Sequence, residues 1–193
     1  MDIKQITCYL WKNSEEISFG GRDKWNLNTF TSKWLEDNKT NRVNNICGVY
    51  WFSVEGMKVN NFKILKKPKN LPKKGINFSE VSQEIVDVFK NNICREKDGE
   101  LIFYNGETKD LFGRMREHFI LDNDKTGALA MSKYTTISKY RFKVRFFHSQ
   151  IEMKGLNVKD KEYIKKLLND KTGRIAIESC WRTLYGWPIL CKK

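Results

Sequence analysis

From Lys139 to Phe146 the chain alternates without a break between cationic and apolar side chains. Tyr140, Phe142, Val144 and Phe146 fall on one side of a period-two pattern, and Lys139, Arg141, Lys143 and Arg145 on the other. A helix would scatter both sets around its axis; an extended strand separates them onto two faces. Residues 138–147 therefore predict a strand with an apolar inner face and a cationic outer one, and the fold must include a sheet. Two more segments join it. Ile46 to Val54 is aromatic and β-branched, and Leu101-Ile102-Phe103-Tyr104 is a short run of the same character. Residues 57–65 give a weaker strand signal after the Glu55-Gly56 turn.

Helical spacing fills most of the remainder. Asn77 followed by Glu80 reads as a capping box for a helix over 79–93, with Val81, Ile85, Val88 and Phe89 on one face. Residues 109–121 place Phe112, Met115 and Phe119 on one face and Arg114 with His118, four apart, on another. Helices over 159–170, using Tyr163, Ile164, Leu167 and Leu168, and over 174–185, using Ile177, Cys180, Trp181 and Leu184, complete the C-terminal part. Gly186 and Pro188 stop the last one. One N-terminal helix is expected around Leu27, Phe30, Trp34 and Leu35, after a Gly20-Gly21 turn. Lys97-Asp98-Gly99 is a further turn signal. The expected fold class is thus α/β in the broad sense (α+β). It is a small three-stranded, mostly antiparallel sheet from about 47–54, 101–105 and 138–147, flanked by helices.

The composition limits the function classes. With 193 residues, 40% hydrophobic and 31% charged, this is a globular domain with a real core. Thirty-six Lys and Arg against 23 Asp and Glu give a net charge of +13, which favours a polyanionic partner, above all nucleic acid. No apolar run approaches the ~18 residues of a membrane span, so no membrane partner is expected. The N-terminus lacks a secretory pattern, making the cytoplasm the expected compartment. Five scattered cysteines suggest neither a disulfide framework nor a structural zinc site.

Three places carry reactive side chains: Gly48-Val49-Tyr50 on a strand; Tyr104-Asn105-Gly106, then Thr108, Lys109 and Leu111, running into Arg114 and His118; and Glu178 on a late helix. In this order and spacing they resemble the GIY-YIG nuclease family. Gly48-Val49-Tyr50 matches its first half-motif with Val for Ile, and Tyr104-Asn105-Gly106 the second with Asn for the usual Ile or Val. Arg114, ten residues after Tyr104, His118 and Glu178 fall at the family's remaining positions. Two departures stand out. Fifty-three residues separate Tyr50 from Tyr104, where the family has about a hairpin, so 55–100 reads as an insertion. The asparagine that often follows the glutamate helix is missing.

The resemblance covers about 46–188. It implies a catalytic domain at 46–193 with the insertion at 55–100, preceded by an N-terminal arm at 1–45. It implies a phosphodiester hydrolase acting on double-stranded DNA with Mg²⁺ or Mn²⁺. Glu178 would bind the metal, Arg114 the phosphate, and Tyr50 would act as general base, with His118 assisting and Tyr104 positioning. The chain ends eight residues after Tyr185, leaving no room for the separate C-terminal DNA-binding module of homing enzymes. A Type II restriction enzyme is therefore expected, as a homodimer if its target is palindromic. A homing or repair-type nuclease and a nuclease-derived DNA-binding protein without cleavage are the alternatives. Candidate DNA contacts are Lys109, the strand cations Lys139, Arg141, Lys143 and Arg145, and the insertion loop's Lys66, Lys67, Lys69, Lys73 and Lys74.

Overall fold

The computed structural model describes residues 1–21, 25, 28–37, 46–94, 96, 98–121 and 127–192. Its element order is α1 Ile3–Lys12, β1 Glu15–Gly20, α2 Ser32–Asp37, β2 Gly48–Glu55, α3 Val59–Lys63, α4 Phe78–Phe89, β3 Glu100–Thr108, α5 Leu111–Ile120, β4 Arg141–His148, α6 Val158–Asn169 and α7 Lys171–Tyr185. The alternating segment becomes β4, with Phe142, Val144 and Phe146 inaccessible to solvent. The sheet is antiparallel, but it has four strands rather than the expected three, in the order β1-β4-β2-β3. The additional strand, β1, alternates over only Glu16 to Phe19. Its pairing with the far edge of β4 supplies the order that its short pattern could not announce.

The described part of the N-terminal segment packs on the rest of the fold. β1 extends the sheet, and α1 buries Ile6 and Leu10 beside Val49, Trp51, Phe147, Ile164 and Trp181. The expected helix at Phe30–Leu35 is shorter than predicted and begins at Ser32. Leu27, residues 38–45 and Lys97 of the predicted turn lie outside the described residues. Residues 57–65 form no strand: Val59–Lys63 is a short helix that buries Phe62. Its apolar residues are spaced for one helical turn against α4 as well as for a strand, and packing decides. Asn77 caps α4 with extended backbone but no side-chain cap bond, its Nδ2 donating instead to Glu80 Oε2 at 3.0 Å. α4 ends at Phe89, followed by a 3₁₀ turn at Lys90–Asn92. Val88, expected on its inner face, is exposed.

Both sheet faces are packed, which the one-sided pattern of β4 conceals. One face carries Tyr50, Phe52, Val54, Phe142, Val144 and Phe146 under α4 and α5. The other carries Val49, Trp51 and Phe147 under α1, α6 and α7. Tyr163, expected on the inner face of α6, points to solvent, while Ile164 and Leu168 are buried. The insertion is docked as well as tethered. Phe78 stacks on Tyr134 with ring centroids 4.0 Å apart, and Tyr134 Oη donates to Ile76 O at 2.8 Å. Among the described residues no helix is long and apolar enough to cross a membrane.

Candidate active site

Glycine fixes the two strands that start the site. A Cβ on Gly48 would lie 2.5 Å from Phe147 O on β4, so only glycine lets β2 and β4 approach there. Gly106 faces Tyr50 across the β2–β3 ladder, and a Cβ there would lie 2.5 Å from Tyr50 Oη. The Tyr50 ring therefore lies directly over the Gly106 backbone. Its hydroxyl meets His118 Nε2 at 2.7 Å, 68 residues away.

His118 is fully buried, and its second nitrogen, Nδ1, accepts the Leu129 N–H at 3.2 Å. Burial, reinforced by Arg114, drives its pKa well below the usual value, so the ring is neutral. A neutral ring that accepts at Nδ1 carries its proton on Nε2 and donates it to Tyr50. Both ring nitrogens are engaged inside the protein, so in this arrangement neither contacts a phosphate or takes the tyrosine's proton. The ring orients Tyr50 and leaves the tyrosine's own proton for another acceptor.

Tyr104 reaches the same face through a β-bulge. Phe52 pairs with Tyr104 but Ser53 pairs with Ile102, which leaves Phe103 without a partner position. Leu101 and Tyr104, three apart, thereby pack into one cluster, where an unbroken strand would send them to opposite faces. The Tyr104 ring lies 4.6 Å from that of His118 and 6.2 Å from that of Tyr50. Burial holds both phenols above their usual pKa, with the neighbouring Arg114 opposing this. Arg114, on α5 behind its Asp110 cap, donates to Glu117 Oε2 at 2.6 Å and to Gly127 O at 2.7 Å.

β3 is an edge strand, and the site wraps round that edge. The C-terminal tail covers part of it: Leu190 N donates to Phe103 O at 2.9 Å, and Asn105 N to Cys191 Sγ at 3.2 Å. Glu178 on α7 and Tyr104 line one cleft of about 330 Å³, together with Lys74, Gly127 and Arg182. Arg114 lines a neighbouring cleft of about 690 Å³ with Glu107, Lys109 and Lys171, and reaches the first through Gly127. Glu178 is half-buried. Burial, together with nearby Glu107, raises its pKa, while Arg182 opposes the rise.

Sequence reasoning missed the partners of Glu178. Arg182, one helical turn on, forms an ion pair with Glu178 Oε1, donates through Nε to Asn105 Oδ1 at 2.9 Å and lies 4.5 Å over the Trp187 ring. Asn105 is buried and also contacts Glu178 O at 3.5 Å. The i,i+4 spacing of Glu178 and Arg182 was a usable signal, as was an asparagine where the motif wants an apolar residue. Arg174 is a further buried cation, held by Glu107 Oε2 at 2.7 Å. Among the described residues no group of three or more His, Cys, Asp or Glu gathers as for a metal. Glu178 offers one carboxylate, which is paired with Arg182; a lone carboxylate suits an ion that keeps most of its water, such as Mg²⁺.

The candidate DNA contacts divide into two sets. Lys143 lies 2.9 Å from Glu55, 3.1 Å from Glu100 and 3.8 Å from Glu16, and Arg145 pairs with Glu16 at 2.9 Å while lying over Trp11. These two strand cations form an ion-pair layer with acidic residues of β1, β2 and β3. Arg141 and Lys139 are exposed beyond it. Lys109 and the loop lysines Lys66, Lys67, Lys69, Lys73 and Lys74 are exposed, and of these Lys109 and Lys74 lie in the two cleft walls. In comparison with family models, curated proteins and solved structures, nothing matches this chain.

Proposed function

We propose that this chain is a GIY-YIG-type endonuclease that hydrolyses phosphodiester bonds of double-stranded DNA with a divalent metal, most specifically a Type II restriction enzyme. One observation carries the reading. Tyr104 and Glu178 line one cleft, Arg114 lines its neighbour, and the buried Tyr50–His118 pair packs against Tyr104, so five residues scattered over 129 positions gather in one region. The net charge of +13 suits a duplex partner.

Each residue then has a physical task. The Arg114 guanidinium, held by Glu117 and Gly127, is aimed as a fork that neutralises charge growing on the phosphate. By the resemblance Tyr50, fixed by His118, would accept a proton from the attacking water only once it had lost its own and been opened to solvent; Arg114 and the His118 N–H favour that phenolate, whereas burial opposes it. Tyr104 confines the same water. Glu178 would hold Mg²⁺ or Mn²⁺. Such an ion, when bound, supplies charge stabilisation at the phosphate and the leaving oxygen. Asn105, bound to the Glu178 helix and to Arg182, takes the place of the asparagine absent after Glu178. Lys109 and the loop lysines position the duplex through its phosphates. A palindromic target would bring two copies together.

A second reading, a nuclease-derived protein that binds DNA without cutting, is favoured by the Arg182–Glu178 ion pair, since the guanidinium competes with a cation for the carboxylate. Incubation with phage DNA and Mg²⁺ or Mn²⁺ separates the two. Discrete fragments are expected from the wild type, and none from Glu178→Ala, which should still bind duplex. Duplex binding without cleavage in either metal would favour the second reading. A Glu178→Ala variant that cuts like the wild type would remove Glu178 from the site.

A further inference from the structure

The insertion enters the site through one short stretch of backbone. Lys74 O accepts Ala128 N at 3.3 Å, Gly75 pairs with Ala128 as an isolated parallel bridge, and Ile76 N donates to Ala128 O at 2.9 Å. The segment it grips, 127–129, is the one that orients the site. Gly127 O receives Arg114, and Leu129 N fixes the tautomer of His118. Ala130 turns the chain there in the left-handed region, at φ 52°. Residue 74 is therefore tied to the segment that holds Arg114 and His118. The turn before it is closed by Gly75 N donating to Pro72 O at 2.8 Å and Leu71 N to Pro68 O at 3.2 Å.

Lys74 lines the cleft of Tyr104 and Glu178, whereas Lys66, Lys67, Lys69 and Lys73 do not. The lining of that cleft also includes Arg182, which contacts Glu178, Asn105 and Trp187, and Lys192 of the terminal tail. A phosphodiester undergoing hydrolysis gains negative charge where Tyr104 and Glu178 add none to offset it. An ammonium on a long stem, anchored at its Cα, suits that position.

We infer that Lys74 is a catalytic residue contributed by the insertion, its ammonium contacting the phosphate that is cut, while the other loop lysines hold flanking phosphates. The inference rests on the nuclease reading above. It gives the 55–100 insertion a part in the chemistry as well as in binding: correct docking of residues 74–76 places Lys74 and also sets the segment that aims Arg114 and His118.

The test is single-turnover cleavage of phage DNA in Mg²⁺, with duplex affinity measured in parallel, for the wild type, Lys74→Met, Lys74→Arg and the quadruple serine variant of Lys66, Lys67, Lys69 and Lys73. Lys74→Met should lose about 10²-fold in cleavage rate, as for one removed charge donor, with duplex affinity changed less than about threefold. Lys74→Arg should recover part of the rate. The quadruple variant should instead lose affinity and flatten its salt dependence by about 0.9 in slope per lost contact. Thermal denaturation shows that each variant is folded. Wild-type cleavage by Lys74→Met, or a loss of affinity equal to its loss of rate, overturns the assignment and leaves the nuclease reading standing. No cleavage by the wild type overturns both.

Discussion

Replacing Gly106 by alanine tests the packing on which the whole site rests. The new methyl would lie 2.5 Å from Tyr50 Oη, 2.7 Å from Cζ and 3.2 Å from Cε1, whereas ordinary contact begins at 3.4 Å. The hydroxyl must therefore retreat by roughly 0.9 Å, further than close-packed atoms tolerate without strain. It has nowhere to go, because Tyr50 is 1% exposed and hemmed in by Phe52, Tyr104 and His118. Overpacking of this kind costs about 1–3 kcal/mol. Loss of the Tyr50–His118 hydrogen bond adds on the order of 1 kcal/mol. At about 2–4 °C per kcal/mol for a chain of this size, Tm should fall by roughly 4–15 °C. The comparison variant is Gly127→Ala, whose methyl would meet nothing nearer than Lys74 O at 3.8 Å among the described residues and which should stay within about 2 °C of the wild type. Thermal denaturation followed by circular dichroism measures both. The cleavage rate of Gly106→Ala should drop about 10²-fold, the cost of displacing a reacting group by an ångström. A Gly106→Ala protein as stable as the Gly127→Ala one would refute the placement of Tyr50 over Gly106, whatever the activity.

The remaining expectations concern charge. His118 and His148 are both held neutral by burial, His148 with its pKa lowered to about 4 from the usual 6.5. Between those values the unfolded chain binds the protons and the folded one does not. Stability should therefore fall as pH drops from about 7 towards 4, by up to about 3 kcal/mol from His148 and further from His118; a flat Tm over pH 7.5 to 4.5 would contradict this. Lys143→Met leaves Glu16, Glu55 and Glu100 without their shared cation and should cost about 1–2 kcal/mol in denaturant titration. The salt slope of duplex binding should stay unchanged in that variant, and a flatter slope would return the outer face of β4 to the DNA interface. Arg114→Lys keeps the charge but cannot span Glu117 Oε2 and Gly127 O as a fork, and a rate loss of about 10²–10³ is expected; wild-type cleavage would make Arg114 a structural cation.

Local patterns in the sequence determined much of the scaffold. The alternation at 139–146, the apolar spacing of α5 and α7 and the turn glycines announce β4 and two helices, because periodicity records which side of an element is buried. The half-motifs and the Arg114–His118 spacing likewise named residues that the fold brings near one another, with Tyr50 and His118 buried beside Tyr104. What they could not hold is any fact that depends on a partner distant in the chain. β1 is a strand because β4 offers it a free edge, and Lys143 is an ion-pair centre because β1, β2 and β3 bring three carboxylates to it. His118 reads as a reactive base in one dimension. It becomes an orienting donor only when the Leu129 amide, eleven residues on, claims its other nitrogen. Asn105 and Arg182 are 77 residues apart and ordinary separately; the bulge, the exposed edge of β3 and the packing of α7 across it make them the supports of Glu178. Periodicity is a property of neighbours in sequence, whereas tautomers, ion-pair partners and clefts belong to neighbours in space, and only the tertiary structure brings those together.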